Sequence, residues 1–376
     1  MLRKFEVKNF KNFRDIISID FTNVHDYRYN EYCIKNNLIN KMIIYGKNSE
    51  GKSNLGLALL DVYYDISNRS SILRRQEHYV YKNADSSNNE LVEFYYSFDF
   101  NGDIVDYRYK KRDISDIVFE ELKINGQTIY FYDILSEECD FSNISQINAN
   151  ELNWTEFIDS LKNDSEDIES TQPTALRYIV YNTIQPEESI IAKLSGFIRR
   201  MRLTTSVNGR IPYSIYDRYL ENDEDLEKFE KFLNDYGIKC KLLLKENIDG
   251  RKELFFDYAK PLPFSSNLSS GTLTLTNFYF QFISRGKPSF VYMDEFDAYY
   301  HYELSEKIIE LLEKEFDCQV ILTTHNTNLL SNSIMRPDCF MILSNGKLTP
   351  ICEATNRELR QGHNLEKLYI NGEFDG

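Results

Sequence analysis

The stretch Gly46-Lys47-Asn48-Ser49-Glu50-Gly51-Lys52-Ser53 constrains this chain more than any other. It fits the pattern G-x-x-x-x-G-K-[ST], which works as a loop between a buried strand and a helix. The apolar run Met42-Ile43-Ile44-Tyr45 stands directly before it, and Leu55, Leu57, Ala58, Leu59 and Val62 behind it read as the buried side of a helix. Glycines let backbone approach phosphate, and successive N–H groups at a helix N-terminus favour negative charge. A chance match is the competing explanation; glycine is scarce, 15 of 376 residues, and the strand–loop–helix context argues against it. The loop through Asn54 is therefore read as a phosphate cradle, with Lys52 reaching the β- and γ-phosphates of a nucleotide and Ser53 ligating Mg²⁺.

Composition narrows the rest. A chain of 376 residues makes about two to three domains, or one large domain with insertions. At 42% hydrophobic residues it can bury a sizeable core, which argues against disorder. The 27 Tyr and 25 Phe favour β-rich structure. A net charge of −15 rules against a general polyanion binder, so any nucleic-acid contact must come from a local basic patch. The six cysteines show no C-x-x-C spacing and suggest neither a zinc site nor a redox pair; scattered single thiols fit a reducing cytoplasm. There is no apolar leader and no membrane-length apolar run, so a soluble cytoplasmic protein with no membrane partner is expected.

Along the chain, alternation predicts an N-terminal hairpin through Phe5, Val7, Ile17, Ile19 and Phe21, then a loop over 23–40 and the phosphate loop with its helix to about Asp65. Two Asn-Gly pairs, Asn101-Gly102 and Asn125-Gly126, flanked by alternating apolar residues, predict an antiparallel β-subdomain. Ala175–Tyr181 reads as a buried strand, and helices are expected at Glu187–Met201 and Asp223–Asp235, the second capped by Gly237. A hairpin at Lys239–Lys245 and Lys252–Tyr258 follows. From Leu268 the pattern returns to α/β alternation: a helix at about Thr272–Ile283, a strand at Phe290–Asp294, a helix at Glu303–Phe316 and a strand at Gln319–Thr324. Cys339–Leu343 and Leu348–Ile351 flank a turn. The expected divisions are 1–67 (N-terminal part of a nucleotide-binding lobe), 68–133 (antiparallel β-subdomain), 134–261 (inserted, mainly helical subdomain) and 262–376 (C-terminal part of the lobe). No long heptad run, hence no coiled-coil arm, is present.

Three further stretches can complete a nucleotide site. Asp294-Glu295 ends an apolar strand; Asp294 is assigned to the metal and Glu295 to the base that polarises water, although an ordinary acidic turn has the same appearance. Leu268-Ser269-Ser270-Gly271-Thr272 sets hydroxyls and N–H groups at a helix start, where they suit an anion or serve as a plain N-cap. His325, after a β-branched strand and two threonines, is placed to contact a γ-phosphate or orient water, or is simply a surface histidine.

In this order the elements resemble the head of an ABC-type ATPase: Walker A, signature, Walker B with a catalytic Glu, then a switch His. The resemblance is closest to the SMC/RecF/OLD-like branch, and within it to the AAA family ATPases of RloA and AbiL type found in phage-defence operons. Phe10-Lys11-Asn12-Phe13, Gly46–Ser53, Leu268–Thr272, Met293–Ala298, Leu322–Leu330 and the tail Asn364–Gly372 carry it; the middle of the chain matches only in general character. The resemblance implies an α/β fold: a P-loop NTPase head with an antiparallel β-subdomain and an inserted helical subdomain. It implies ATP and Mg²⁺ as cofactors, catalysis by Glu295, His325 and Lys52, and Asp297 as the D-loop residue. It also implies a homodimer or higher homo-oligomer in which Ser269, Ser270 and Gly271 act in trans. Leu-Ser-Ser-Gly-Thr lacks the Gly-Gly of transporter signatures. A Q-loop glutamine is not obvious; Gln185, after the expected 175–181 strand, is the candidate additional metal ligand.

Lys193, Arg199, Arg200, Arg202 and Arg210 form the one dense basic run. With Arg199 and Arg202 on one helix face it is a candidate anion or nucleic-acid patch, or a solvated face pairing with the acidic segment 217–225. Too little chain follows His325 for an appended nuclease domain, so chemistry on an effector target is expected from a separate protein. Two functions compete. One is an ATP-gated defence sensor-scaffold controlling a separate effector. The other is an ATPase acting directly on DNA.

Overall fold

The computed structural model describes all residues except 70–79, 115, 163–171, 206–218, 221, 247–249, 251, 284–286, 299–301 and 375–376. Arg210 and parts of the acidic segment 217–225 lie outside the described residues. The chain divides into two compact units: Met1–Thr204 with Ser289–Asp294 and Cys318–Gly376, and Thr205–Pro288 with Glu295–Asp317.

The first unit holds two sheets. One has six strands, in the order Met201–Thr205, Phe290–Asp294, Gln319–Thr324, Lys41–Tyr45, Phe340–Ser344 and Lys347–Pro350. The strand before the phosphate loop is parallel to both its neighbours, pairing Thr323 with Ile44 and Met341 with Ile44. Lys41–Tyr45, Phe290–Asp294 and Gln319–Thr324 are buried at every position. This is what a parallel sheet covered on both faces demands, and why these strands read as continuous apolar runs. Their parallel sense brings the ends of three strands, at Tyr45, Asp294 and Thr324, to one edge, where ligands of α/β sheets bind.

The other sheet is antiparallel with seven strands, in the order Glu138–Asp140, Gln127–Asp133, Asp116–Ile124, Asp103–Asp113, Val92–Phe100, Leu2–Lys8 and Ile17–Asp20. Both Asn-Gly pairs sit at its hairpins with positive φ (Asn101 60°, Gly102 100°; Asn125 50°, Gly126 80°), the mirror-image turn that matches strand twist. The N-terminal hairpin therefore joins this sheet, through Leu2–Lys8 against Val92–Phe100, and crosses the expected division at 67/68. Gln319 ties the two sheets: its Oε1 accepts from Leu2 N (2.7 Å) and its Nε2 donates to Leu2 O (2.8 Å).

Ala175–Asn182 is a helix, not the expected strand. Its Tyr-Ile-Val-Tyr run has strand propensity, but capping and burial decide the outcome. The Thr174 side chain accepts from Arg177 N, while Ala175, Leu176 and Ile179 are buried on one stripe. The buried Glu120 carboxylate, from the antiparallel sheet, accepts from Ala175 N (2.6 Å) and Leu176 N (2.9 Å), satisfying two first-turn donors. The same carboxylate accepts from the hydroxyls of Tyr107, Tyr130 and Tyr132. Beside it, Asp61 accepts from Lys111 Nζ (2.5 Å), Tyr109 OH (2.8 Å) and Tyr81 OH (3.0 Å), and Asp65 from Thr174 Oγ1 (2.5 Å). Asp61 and Asp65 lie on the helix Asp61–Ile66, directly after the phosphate-loop helix Lys52–Leu59, so buried polar groups fasten that helical run to the antiparallel sheet.

The next helix is Ile190–Arg199, shorter than expected at both ends. Ser189 caps its start by accepting from Ala192 N (3.2 Å), and Met201 begins an edge strand. Arg199 and Arg202 therefore do not share a helix face. Arg202 donates to the carbonyls of Arg199 and Met201, and the Arg199 guanidinium lies 5.3 Å from the ring centre of Tyr181.

The second unit packs the helix Asp223–Asp235, the hairpin Leu242–Glu246 with Lys252–Phe256, and the helix Ser270–Phe278 around Phe229, Phe232, Phe264, Tyr279 and Phe280. Gly237, at φ 91°, ends the first helix as expected: its N–H donates to Asn234 O and that of Ile238 to Leu233 O. Ser270–Phe278 continues as a π-turn over Tyr279–Ile283. Among the described residues the longest helix is Tyr302–Glu315, at 14 residues, and no helix is long and apolar enough to cross a membrane.

Candidate nucleotide site

The phosphate loop connects Lys41–Tyr45 to Lys52–Leu59. Ser49 (φ 71°) and Gly51 (φ 104°) take left-handed backbone, which curls the loop. A Cβ on Gly51 would stand 2.3 Å from Asn12 Nδ2, so glycine is required there on two grounds. Asn12 braces the loop: its Nδ2 donates to Glu50 O (3.0 Å), and its Oδ1 accepts from Asn54 Nδ2 (2.7 Å). Gly46 lets the loop pass Leu343, whose carbonyl oxygen would lie 3.0 Å from an added Cβ.

Lys52 is 4% exposed and folds back over the loop, donating to Gly46 O (2.8 Å) and Lys47 O (3.2 Å). The Ser53 hydroxyl donates to Asp294 Oδ2, and the Thr323 hydroxyl to Asp294 Oδ1 (2.7 Å). Three neighbouring strands thus deliver the loop serine, a carboxylate and a hydroxyl to one point, Ser53 and Asp294 being 241 residues apart in sequence and Asp294 and Thr323 being 29 apart. Tyr292, two residues before Asp294, donates to Lys52 O (2.5 Å). Burial, then the Asp294 charge, push its hydroxyl pKa well above the usual value, so it stays a neutral donor. A hydroxyl and a carboxylate are hard oxygen donors and suit Mg²⁺, which takes one or two protein oxygens and completes its shell with phosphate and water.

Glu295 follows as a non-glycine residue in left-handed backbone (φ 47°), heading a turn closed by Ala298 N to its carbonyl (3.0 Å). Such a conformation is uncommon outside glycine and concentrates at functional sites. Asp297 in that turn is buried. His325 is exposed immediately after the Gln319–Thr324 strand, and the next residues are ordered by Asn326 N on Thr324 Oγ1 (2.9 Å). In the second unit, Ser269 is the N-cap of Ser270–Phe278: its Oγ accepts from Thr272 N (3.2 Å), and Ser269 and Ser270 are exposed. Gln185 follows a helix rather than a strand. Its amide donates to Ile147 O and Thr183 Oγ1 and accepts from Ser189, a local structural engagement that removes the basis for making it a metal ligand.

Sequence reasoning did not single out Thr323, Tyr292, Asn12 or Gly56 as site residues. Thr323 had a readable signal, a hydroxyl beside a strand end two residues before His325. Tyr292 and Gly56 had none, because their roles depend on which strand lies under the loop helix.

A glycine-rich loop from a parallel strand, a buried lysine over it and a strand-end aspartate on the loop serine define a P-loop NTPase. The family model "AAA domain, putative AbiEii toxin, Type IV TA system" matches residues 41–331, and the chain belongs to that family. It is an ATPase of the AAA type. No curated protein matches it significantly in sequence. Similar solved structures include the SMC head domain from Thermotoga maritima (15% identity, TM-score 0.44, covering 93% of this chain and 98% of that one). They also include an Smc head bound to the C-winged helix domain of ScpA (16%, 0.45, 93% and 97%). A third is the Pyrococcus furiosus Smc head with an extended coiled coil, bound to the C-terminal domain of ScpA (15%, 0.45, 93% and 95%).

Proposed function

We propose that this protein binds and hydrolyses ATP as a switch in a phage-defence system, and that its nucleotide state controls a separate effector protein. The joint hold of Ser53 and Thr323 on Asp294 carries the nucleotide part of this reading. Lys52 leaves the loop carbonyls to bind the terminal phosphates. Ser53 and Asp294 hold Mg²⁺, which neutralises phosphate charge when bound. Glu295 polarises the attacking water and His325 faces the γ-phosphate, while Asn12 keeps the loop's N–H groups aimed at phosphate. Ser270 and Gly271 belong to the site of a second copy, with Asp297 beside it, so ATP closes a homo-oligomer. The family description supports the defence setting, and the charge of −15 favours a protein partner over a nucleic acid.

The test is purification of wild type, Lys52→Ala and Glu295→Gln with ATP and Mg²⁺, each co-expressed with the neighbouring gene product. Lys52→Ala should bind no ATP. Glu295→Gln should bind ATP, form the oligomer and retain the partner, with turnover reduced about 10²–10⁴-fold, the usual contribution of a general base. A wild-type protein that neither hydrolyses ATP nor changes oligomeric state with it refutes the switch. ATPase activity stimulated by DNA, with steep salt dependence lost on changing Arg199 and Arg200, would instead favour the direct DNA reading.

A further inference from the structure

A cavity of about 430 Å³ opens on the side of the phosphate loop formed by Gly46, Lys47 and Glu50, bounded by the Phe340–Ser344 and Lys347–Pro350 hairpin and by the C-terminal segment. It lies wholly within the first unit, and Lys52, Ser53 and Asp294 do not line it. Its size falls in the range of small-ligand clefts, about 300–1,000 Å³.

Four charged side chains line it, two lysines and two carboxylates, and hydrogen bonds hold each carboxylate in place. Glu50 Oε2 accepts from Asn345 N (2.8 Å); Glu353 Oε1 accepts from Asn23 Nδ2 (2.5 Å) and lies 3.7 Å from His25 Nε2. Among the described residues, neither Lys47 nor Lys347 has a carboxylate within ion-pair distance, and both are exposed. A chain of net charge −15 thus presents two ammonium groups without ion partners at one cleft. Two ammonium groups match the charge of one phosphate dianion. The C-terminal segment adds the rings of Tyr369, from the helix Leu365–Ile370, and of buried Phe374, which offer flat apolar surface.

We infer that this cleft is a second ligand site, for a nucleoside monophosphate: phosphate on Lys47 and Lys347, base against Tyr369 and Phe374. Because Lys47 and Glu50 are phosphate-loop residues, the occupant bears on the loop from the side away from Ser53. The site assigns a role to the C-terminal helix that the nucleotide chemistry leaves unused.

The experiment is titration of the full-length protein with a fluorescent N-methylanthraniloyl derivative of AMP, in the presence of Mg²⁺ and a saturating non-hydrolysable ATP analogue. One saturable binding event is expected. It should persist in Lys52→Ala and weaken at least tenfold in Lys347→Glu, whose exposed position on an edge strand leaves folding intact; Lys347→Ala, weakening it less, is the second variant. No saturable binding, or equal affinity in both Lys347 variants and wild type, overturns the site. Inorganic phosphate competing as well as AMP overturns the part given to the two rings. In a titration begun without the analogue, displacement of all bound probe when the analogue is added would place the probe in the phosphate loop and overturn the second site, independently of whether ATP is hydrolysed.

Discussion

Gly56→Ala is the sharpest probe of how the phosphate-loop helix sits on its sheet. In an isolated helix the change is favourable by about 1 kcal/mol. Here the added Cβ would stand 2.6 Å from Tyr292 Cε1, 2.7 Å from Cδ1 and 3.1 Å from Leu203 Cδ1. Real carbon contacts are not that short, so either the helix lifts or the ring moves. The ring is fully buried and its hydroxyl holds Lys52 O at 2.5 Å, so it has no free direction. Overpacking costs about 1–3 kcal/mol, and losing the Tyr292 hydrogen bond adds about 1 kcal/mol. Set against the helical gain, net destabilisation of about 1–3 kcal/mol follows. Urea unfolding without nucleotide should show a lower midpoint at unchanged slope. ATP affinity should also fall, because the lifted helix carries Ser53 away from Asp294. Adding Tyr292→Leu should recover part of the loss, giving a coupling energy in a double-mutant cycle. A Gly56→Ala protein as stable as wild type would refute the packing argument.

Other consequences can be measured directly. Glu120→Gln replaces one acceptor oxygen with a donor, leaving either Ala175 N or Leu176 N unsatisfied in the core; a loss of about 1–3 kcal/mol in chemical denaturation is expected, and an unchanged midpoint would argue against the carboxylate as the helix cap. Thr323→Val removes the donor to the buried Asp294 Oδ1 at nearly constant volume; it should lower stability by about 1–3 kcal/mol and raise the Mg²⁺ concentration needed for ATP hydrolysis, and an unchanged Mg²⁺ dependence would count against Thr323 as its positioning residue. Arg14 holds the Glu90 carboxyl down to about 2 through their hydrogen bonds. The folded value lies below the unfolded one, so this pair's contribution is full above about pH 4.5 and is lost as pH falls towards 2. Glu90→Gln should therefore flatten the acid limb of the stability curve slightly, and an unchanged limb would count against the pair.

Much of this protein was legible as a line of text. The continuous apolar runs at 42–45, 290–293 and 320–322 are buried at every position, as inner parallel strands covered on both faces are. Asn101-Gly102 and Asn125-Gly126 announced their hairpins because few other residues accept positive φ at both turn positions. The phosphate loop and the strand ending in Asp294 were legible because each is a local device, a glycine turn and an apolar strand end, and the structure brings Ser53 onto Asp294. What no local pattern carries is partnership across distance. Strand propensity over 175–181 gave way to a helix because Glu120, 55 residues away, accepts its first N–H. The N-terminal hairpin joined the antiparallel sheet because its edge pairs with Val92–Phe100. Arg199 and Arg202 parted because the helix ended between them. The sequence by itself determined the glycine loop between a buried strand and a helix, and the buried strand that ends in Asp294. Tertiary structure alone decided that Thr323 and Ser53 share Asp294, and that Gly56 must have no side chain, since both depend on which strand lies beside which.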